Sequence, residues 1–137
     1  VARPIALMQV DDLLALPGFN LAIIDALRPH IIVLPVTTPT NINTAGPEVL
    51  AAHVPGLALA DAIALTQARQ RSPFKNINEF SQQLPATARS VSGNNLSVSS
   101  RYFLANGSVS IRNVRLDIQA LIERQPTATR LLWVRAL

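Results

Sequence analysis

The sequence predicts an α+β protein in which a lobe of short helices precedes a three-stranded antiparallel sheet. Three observations lead to that reading. Eight of the ten prolines lie between Pro17 and Pro85. Each removes a backbone donor and biases its predecessor away from helical angles, so helices in this stretch are short. Past about Ser97 the prolines nearly vanish and apolar residues alternate with polar ones, the period of a strand with one buried face. Between the two regimes lies VSGNNLSVSS at 91–100, whose Gly-Asn-Asn core reads as a loop. The expected organisation is a helical lobe over 1–90, a linker over 91–100 and strands over 101–137.

Taken in order, Gln9 to Leu16 forms a short helix ended by Pro17-Gly18. Asn20 caps a helix from Leu21 to Arg28, which stops before Pro29. Ile31 to Leu34 is an apolar run, either a short extended segment or a buried turn. Thr44, with Pro47 near the first helical position and Glu48 in the first turn, starts a helix to about His53. Leu59 to Arg71 is the longest helix, with Leu59, Ala62, Ile63, Thr66 and Arg69 at helical spacing. Asn76, followed three residues later by Glu79, is a capping-box arrangement that opens a helix to about Leu84. Phe103, Ala105, Val109 and Ile111 then mark one face of a strand. Val114, Leu116, Ile118, Ala120 and Ile122 mark the same face of the next, and Leu131 to Ala136 supplies a third after Gln125-Pro126. Arg112-Asn113 fits the hairpin link, with Asn113 suited to positive φ.

That apolar face needs a cover. Val114, Leu116, Ile118 and Ile122 each stand to gain about 1.5–3 kcal/mol from full burial, and three strands cannot bury a face on themselves. A long helix belonging to the sheet is therefore expected to be missing from the chain. Within the chain no apolar run is long enough to span a bilayer. The absence of cysteine excludes disulfides, thiol catalysis and cysteine metal sites. The net charge of +4 is confined to 101–137, where six arginines face only Asp117 and Glu123, while residues 1–100 are balanced. A high isoelectric point built this way does not imply a nucleic-acid surface.

Two segments repeat one theme: Leu13 to Ile23 around Pro17-Gly18, and Val49 to Ala62 around Pro55-Gly56. Each is a short apolar helix, a Pro-Gly turn and a second helix, with glycine supplying the positive φ that a sharp turn needs. Around the second run Asn41-Ile42-Asn43-Thr44-Ala45 and Arg69-Gln70-Arg71-Ser72-Pro73-Phe74, with Ile77 and Phe80 beyond. This resembles the helix-hairpin-helix (SAM-like) unit, which serves DNA binding in some proteins and structural roles in others. Ala58 and Asn20 stand where the phosphate-approaching second glycine would be, Asp61 lies nearby, and the lobe carries no net charge to neutralise phosphates. DNA binding is accordingly the alternative reading.

Ser100-Arg101-Tyr102-Phe103-Leu104, the strands ending at Leu121-Ile122-Glu123-Arg124, and Arg3-Pro4-Ile5 leading to Pro17-Gly18 are similar to general secretion pathway protein K. That family comprises minor pseudopilins of type II secretion. The resemblance implies a pilin-like fold lacking its N-terminal membrane-anchoring helix. It also implies a non-catalytic structural role at the tip of the periplasmic pseudopilus of a Gram-negative bacterium, at the inner membrane, with the I and J minor pseudopilins as partners. Some relatives bind calcium; here the acidic pair Asp11-Asp12 has no third acid nearby and reads as a solvated first turn, so no cofactor is expected and calcium is left as an unassigned alternative. His30 and His53 lack metal-ligand spacing and read as structural or solvated. Asn41, Asn43 and Thr44 read as turn and cap formers. Trp133 and Tyr102 are candidate interface residues, aromatics being favoured anchors.

Overall fold

The computed structural model describes residues 6–88 and 95–137. Arg3-Pro4-Ile5 and the Gly93-Asn94 part of the expected loop lie outside them. Two compact units divide after Val98.

The first unit opens with a 3-10 turn at Val10–Ala15 and α1 at Leu21–Leu27. Asn20 caps α1 as expected, its Oδ1 accepting from the Ile23 N–H at 3.0 Å. Of this first hairpin only Ile24 is fully buried. Ile31 and Ile32 stay exposed and Val33 and Leu34 are half-buried, with no regular structure, so the run is not a buried turn. The rest of the unit comprises β1 (Thr40–Asn41), α2 (Pro47–His53), α3 (Leu59–Arg71), α4 (Ile77–Gln82) and β2 (Leu96–Ser97). Pro47 sits in the first turn of α2 as expected, but the cap is Gly46; Thr44 belongs to the turn before it. Asn76 caps α4 through Glu79 N–H at 2.9 Å, and the Glu79 carboxylate accepts from Lys75 N–H rather than from the cap residue itself.

One core holds this part together: Ile42, Leu50, Val54, Phe74, Phe80 and Leu84 are all nearly inaccessible, with Leu96 of β2 joining them. Phe74 and Phe80 meet edge to face, centroids 5.3 Å apart, which adds to their area burial. On α3 the buried stripe is Ala62 and Leu65, with Thr66 and Arg69 half-buried; Leu59 and Ile63 face solvent. Ala62, Thr66 and Arg69 of the expected stripe thus turn inward, with Leu65 in place of Leu59 and Ile63. The boundaries of α3 are as expected. β1 and β2 pair in parallel, Thr40 with Leu96 and Asn41 with Ser97, so residues 96–97, within the stretch read as a linker, close the first unit.

The second unit is a meander of β3 (Tyr102–Ile111), β4 (Val114–Arg124) and β5 (Thr129–Ala136), in the order β3-β4-β5. Arg112, not Asn113, takes the positive φ of 54° at the hairpin. The register places Phe103 opposite Ile122, Ala105 opposite Ala120, Val109 opposite Leu116 and Ile111 opposite Val114. On the other side Leu131, Val134 and Ala136 pair with Ile122, Ala120 and Ile118. Paired residues share a face. That face is apolar across all three strands and largely open: Phe103 is 42% and Val114 71% exposed, while Ile118, Ala120 and Ile122 are half-buried. The opposite face carries Tyr102, Asn106, Ser108, Arg115, Asp117, Gln119, Glu123 and Arg130 around an apolar row of Leu104, Leu121 and Trp133, of which Leu121 is fully buried.

Candidate functional site

The Asn41–Thr44 loop, singled out by motif, is a pin. Thr44 and Ala45 N–H both return to the Asn41 carbonyl, at 3.1 and 2.9 Å, and Asn41 Oδ1 accepts from Asn43 N–H at 2.9 Å. That tight turn aims the Asn43 amide at a backbone segment thirty-one residues away. Its Oδ1 accepts from Phe74 N–H at 2.9 Å, while Nδ2 donates to the Phe74 carbonyl at 2.8 Å and, more weakly, to the Val98 carbonyl at 3.4 Å. A side-chain amide thereby stands in for a neighbouring strand. Arg69 completes the knot by donating to the Ile42 carbonyl, and Ile42 N–H donates to Ser97 at 2.9 Å. Burial lowers the Arg69 pKa from its ordinary value, yet the carbonyl contact leaves the guanidinium hydrogen-bonded.

Both hairpin turns have the backbone their sequence asks for. Gly18 and Gly56 are the positive-φ glycines among the described residues, at 94° and 78°. Gly56 has a second constraint: a side chain there would lie 2.3 Å from the Thr87 carbonyl oxygen, whose residue also donates from Oγ1 to the Gly56 carbonyl at 3.2 Å. The chain's own backbone thus packs directly against the Gly56 Cα. No observation favours the nucleic-acid alternative.

Asp11 and Asp12 act separately. Asp11 accepts both Arg28 Nη groups, at 2.8 and 3.0 Å, tying the first turn to the end of α1; the guanidinium hydrogen bonds hold its carboxyl below the usual range. Asp12 Oδ2 accepts the Met8 and Gln9 N–H groups, which lowers its pKa too. His53 bridges Val49 and Thr40, both at 3.1 Å, and His30 is exposed at the end of α1. No three metal-ligating side chains cluster among the described residues. An open hollow of about 320 Å³ beside α3 offers one carboxylate, Asp61, and one amide, Gln83.

In the sheet, Tyr102 and Trp133 are each half-buried and each lies under an arginine. The Arg101 guanidinium sits 5.5 Å from the Tyr102 centroid, and Arg135 sits 4.2 Å from that of Trp133. Sequence reasoning missed Glu123, which is buried (4% exposed) and accepts from Arg101, Tyr102 OH at 3.3 Å and Gln125 at 3.1 Å. The hairpin offered the signal, since counting back from Arg112-Asn113 puts Tyr102 opposite Glu123. Burial pushes this carboxyl up, but the hydrogen bonds and charge of Arg101, with Gln125 and Tyr102, outweigh it, and the group titrates below its ordinary 4.5. A depressed folded-state pKa gives stability that is present above the unfolded value and lost as pH falls through the folded one. Glu123→Gln is therefore expected to unfold the sheet at lower temperature at pH 7 and to narrow its deficit below about pH 4. Trp133 fluorescence, from the single tryptophan, reads this unit alone.

Comparison with known proteins addresses what such a scaffold is for. No curated protein matches the chain in sequence. Residues 40–99 match the family model described as type II secretion system (T2SS), protein K. Among solved structures, the fold is similar to a chain in the crystal structure of the GspK–GspI–GspJ complex from the enterotoxigenic Escherichia coli type 2 secretion system. The TM-score is 0.71 at 20% identity, over 95% of this chain and 48% of that one, so the present chain spans about half the length of its structural relative. The fold so matched holds the open-faced sheet as well as the helical unit. Residues 40–99, which contain the Asn43 pin, the second hairpin and the closing β2, are the part of the chain that is similar to the type II secretion system protein K family.

Proposed function

We propose that the chain is the helical lobe and closing sheet of a minor pseudopilin, a non-catalytic part at the tip of the periplasmic pseudopilus that supports protein export. The observation that carries this reading is the apolar sheet face. Phe103, Val109, Ile111, Val114, Leu116, Leu131 and Val134 form one contiguous exposed surface, and surfaces of this kind are packing surfaces. In this reading an apolar anchor helix of the same polypeptide, held at the inner membrane, lies across that face. The minor pseudopilins I and J are the assembly partners, as the GspK–GspI–GspJ complex suggests by analogy. The side chains best suited to chemistry support the same reading, because Asn43 and Arg69 hold backbone and Glu123 holds Arg101. The helical lobe adds bulk to one end of a subunit, which suits a tip better than a repeating position.

The cellular test is complementation. A type II machine lacking this protein is expected to stop exporting its substrates and to recover with the wild-type gene. Recovery is also expected with Asp61→Asn, which changes the one carboxylate of the open hollow. Loss of export in that variant, with its folding and abundance intact, would point to chemistry and against a purely structural part.

A further inference from the structure

The stretch whose composition reads as a linker is held by bonds from residues far away in sequence. Within the first unit, Ile42 N–H donates to the Ser97 carbonyl at 2.9 Å and Asn43 Nδ2 to that of Val98 at 3.4 Å. Two residues later, at the start of the second unit, the chain is gripped again. Arg124 donates to the Ser100 carbonyl from Nη2 at 2.8 Å and to the Arg101 carbonyl from its backbone N–H at 2.7 Å. In return the Arg101 guanidinium donates to Glu123, from Nε at 2.8 Å. Two arginines thus reach between the same two dipeptides in opposite directions. Each also lies on an aromatic ring, Arg101 on Tyr102 and Arg124 on Phe103, with 5.5 and 5.4 Å to the centroids. Successive strand residues point to opposite faces, so the grip holds the strand from both sides. Glu123 is itself fixed, 4% exposed, with Gln125 Nε2 on its second oxygen at 3.1 Å.

We propose that Ser100–Arg101 and Glu123–Arg124 form a two-sided clasp, a local device whose opening frees the start of β3 while the rest of the sheet stays paired. The opposite end of this strand pair cannot separate in the same way, because Arg112-Asn113 joins β3 to β4 covalently. At the Tyr102 end the two strands are joined through space alone, and the charge-assisted bonds of both arginines are placed there. Segments between compact units are the usual sites of nicking, and the small residues of 97–100 mark this stretch as one. The clasp reverses that expectation. It withholds the backbone of Arg101 from a protease although the side chain is 54% exposed. The inference is independent of the secretion reading.

Limited trypsin digestion of the folded 137-residue chain at neutral pH, with the cut sites read by mass, tests it. The wild type is expected to be cut slowly after Arg101. Arg124→Met keeps an apolar stem over Phe103 and loses the side-chain donors; Glu123→Gln keeps the shape and loses the charge. Each is expected to speed the cut after Arg101 by about tenfold or more, the worth of one charge-assisted hydrogen bond. Slow proteolysis follows the population of the open form. Opening the clasp exposes little surface, so this cut is expected to respond only weakly to low urea, while Trp133 fluorescence reports the steeper response of the whole sheet. Unchanged cutting after Arg101 in both variants, with their fold confirmed by circular dichroism, would overturn the proposal. So would a urea response as steep as that of Trp133, because these residues would then stabilise the sheet as a whole and hold no clasp.

Discussion

Gly56→Ala is expected to destabilise the helical unit by about 3 kcal/mol or more, whereas Gly18→Ala costs only about 1–2. Both residues sit at positive φ, where any Cβ is disfavoured by about 1–2 kcal/mol. Around Gly18 nothing lies within 4 Å of an added methyl, so backbone strain is the whole cost. At Gly56 the methyl would meet the Thr87 carbonyl oxygen at 2.3 Å. The obstruction is backbone, tied back by the Thr87 hydroxyl to the Gly56 carbonyl, and it cannot swing aside as a side chain could. Forcing a gap there adds about 1–3 kcal/mol of overpacking. Urea unfolding followed by circular dichroism at 222 nm, where the helices dominate, measures both variants. Equal losses at the two glycines would mean that the contact with Thr87 constrains nothing.

Asn43→Ala is the second large effect, at about 2–4 kcal/mol. Truncation leaves the N–H and carbonyl of Phe74 without their partner beside the Phe74–Phe80 pair, and an unpaired buried backbone group costs about 1–3 kcal/mol. Asn43→Asp separates hydrogen bonding from shape. An ionised aspartate still accepts from Phe74 N–H but cannot donate to the Phe74 and Val98 carbonyls, and it places charge against them. At pH 7 it is expected to be no better than alanine. Its deficit relative to wild type should shrink as pH drops below about 4, where the protonated carboxyl can donate again. A pH-independent deficit would mean that the side chain fills space and holds no backbone.

The elements set by local chemistry were legible in the sequence. Asn20 and Asn76 cap their helices because a short amide reaches its own backbone three residues on, a relation contained within one turn. Leu59–Arg71 and the three strands follow from period and from the prolines around them. What was not legible is non-local. The partners of Asn43 lie thirty-one and fifty-five residues away, and the two-residue β2 pairs with β1 across the whole helical core. No periodicity marks a strand of two residues. The edge of the inward stripe of α3 escaped for a related reason: Leu59 and Ile63 match the helical period as well as Leu65 does. Only the docking of Arg69 on the Ile42 carbonyl shows which stripe turns inward. The positive φ at Arg112 runs against residue preference outright, and the pairing of Ile111 with Val114 across a two-residue link imposes it.

The apolar sheet face was visible from alternation alone, and the register of β3, β4 and β5 extends it over three strands. That exposed apolar surface is what the proposed place in an assembly rests on. Light scattering on a size-exclusion column tests this directly, using the complete soluble region that contains the chain, mixed with the I and J minor pseudopilins at about 10 µM, well within reach of a specific interface. The account predicts one peak with the mass of a complex containing all three proteins. Three separate peaks at their own masses, from well-folded components, would contradict it.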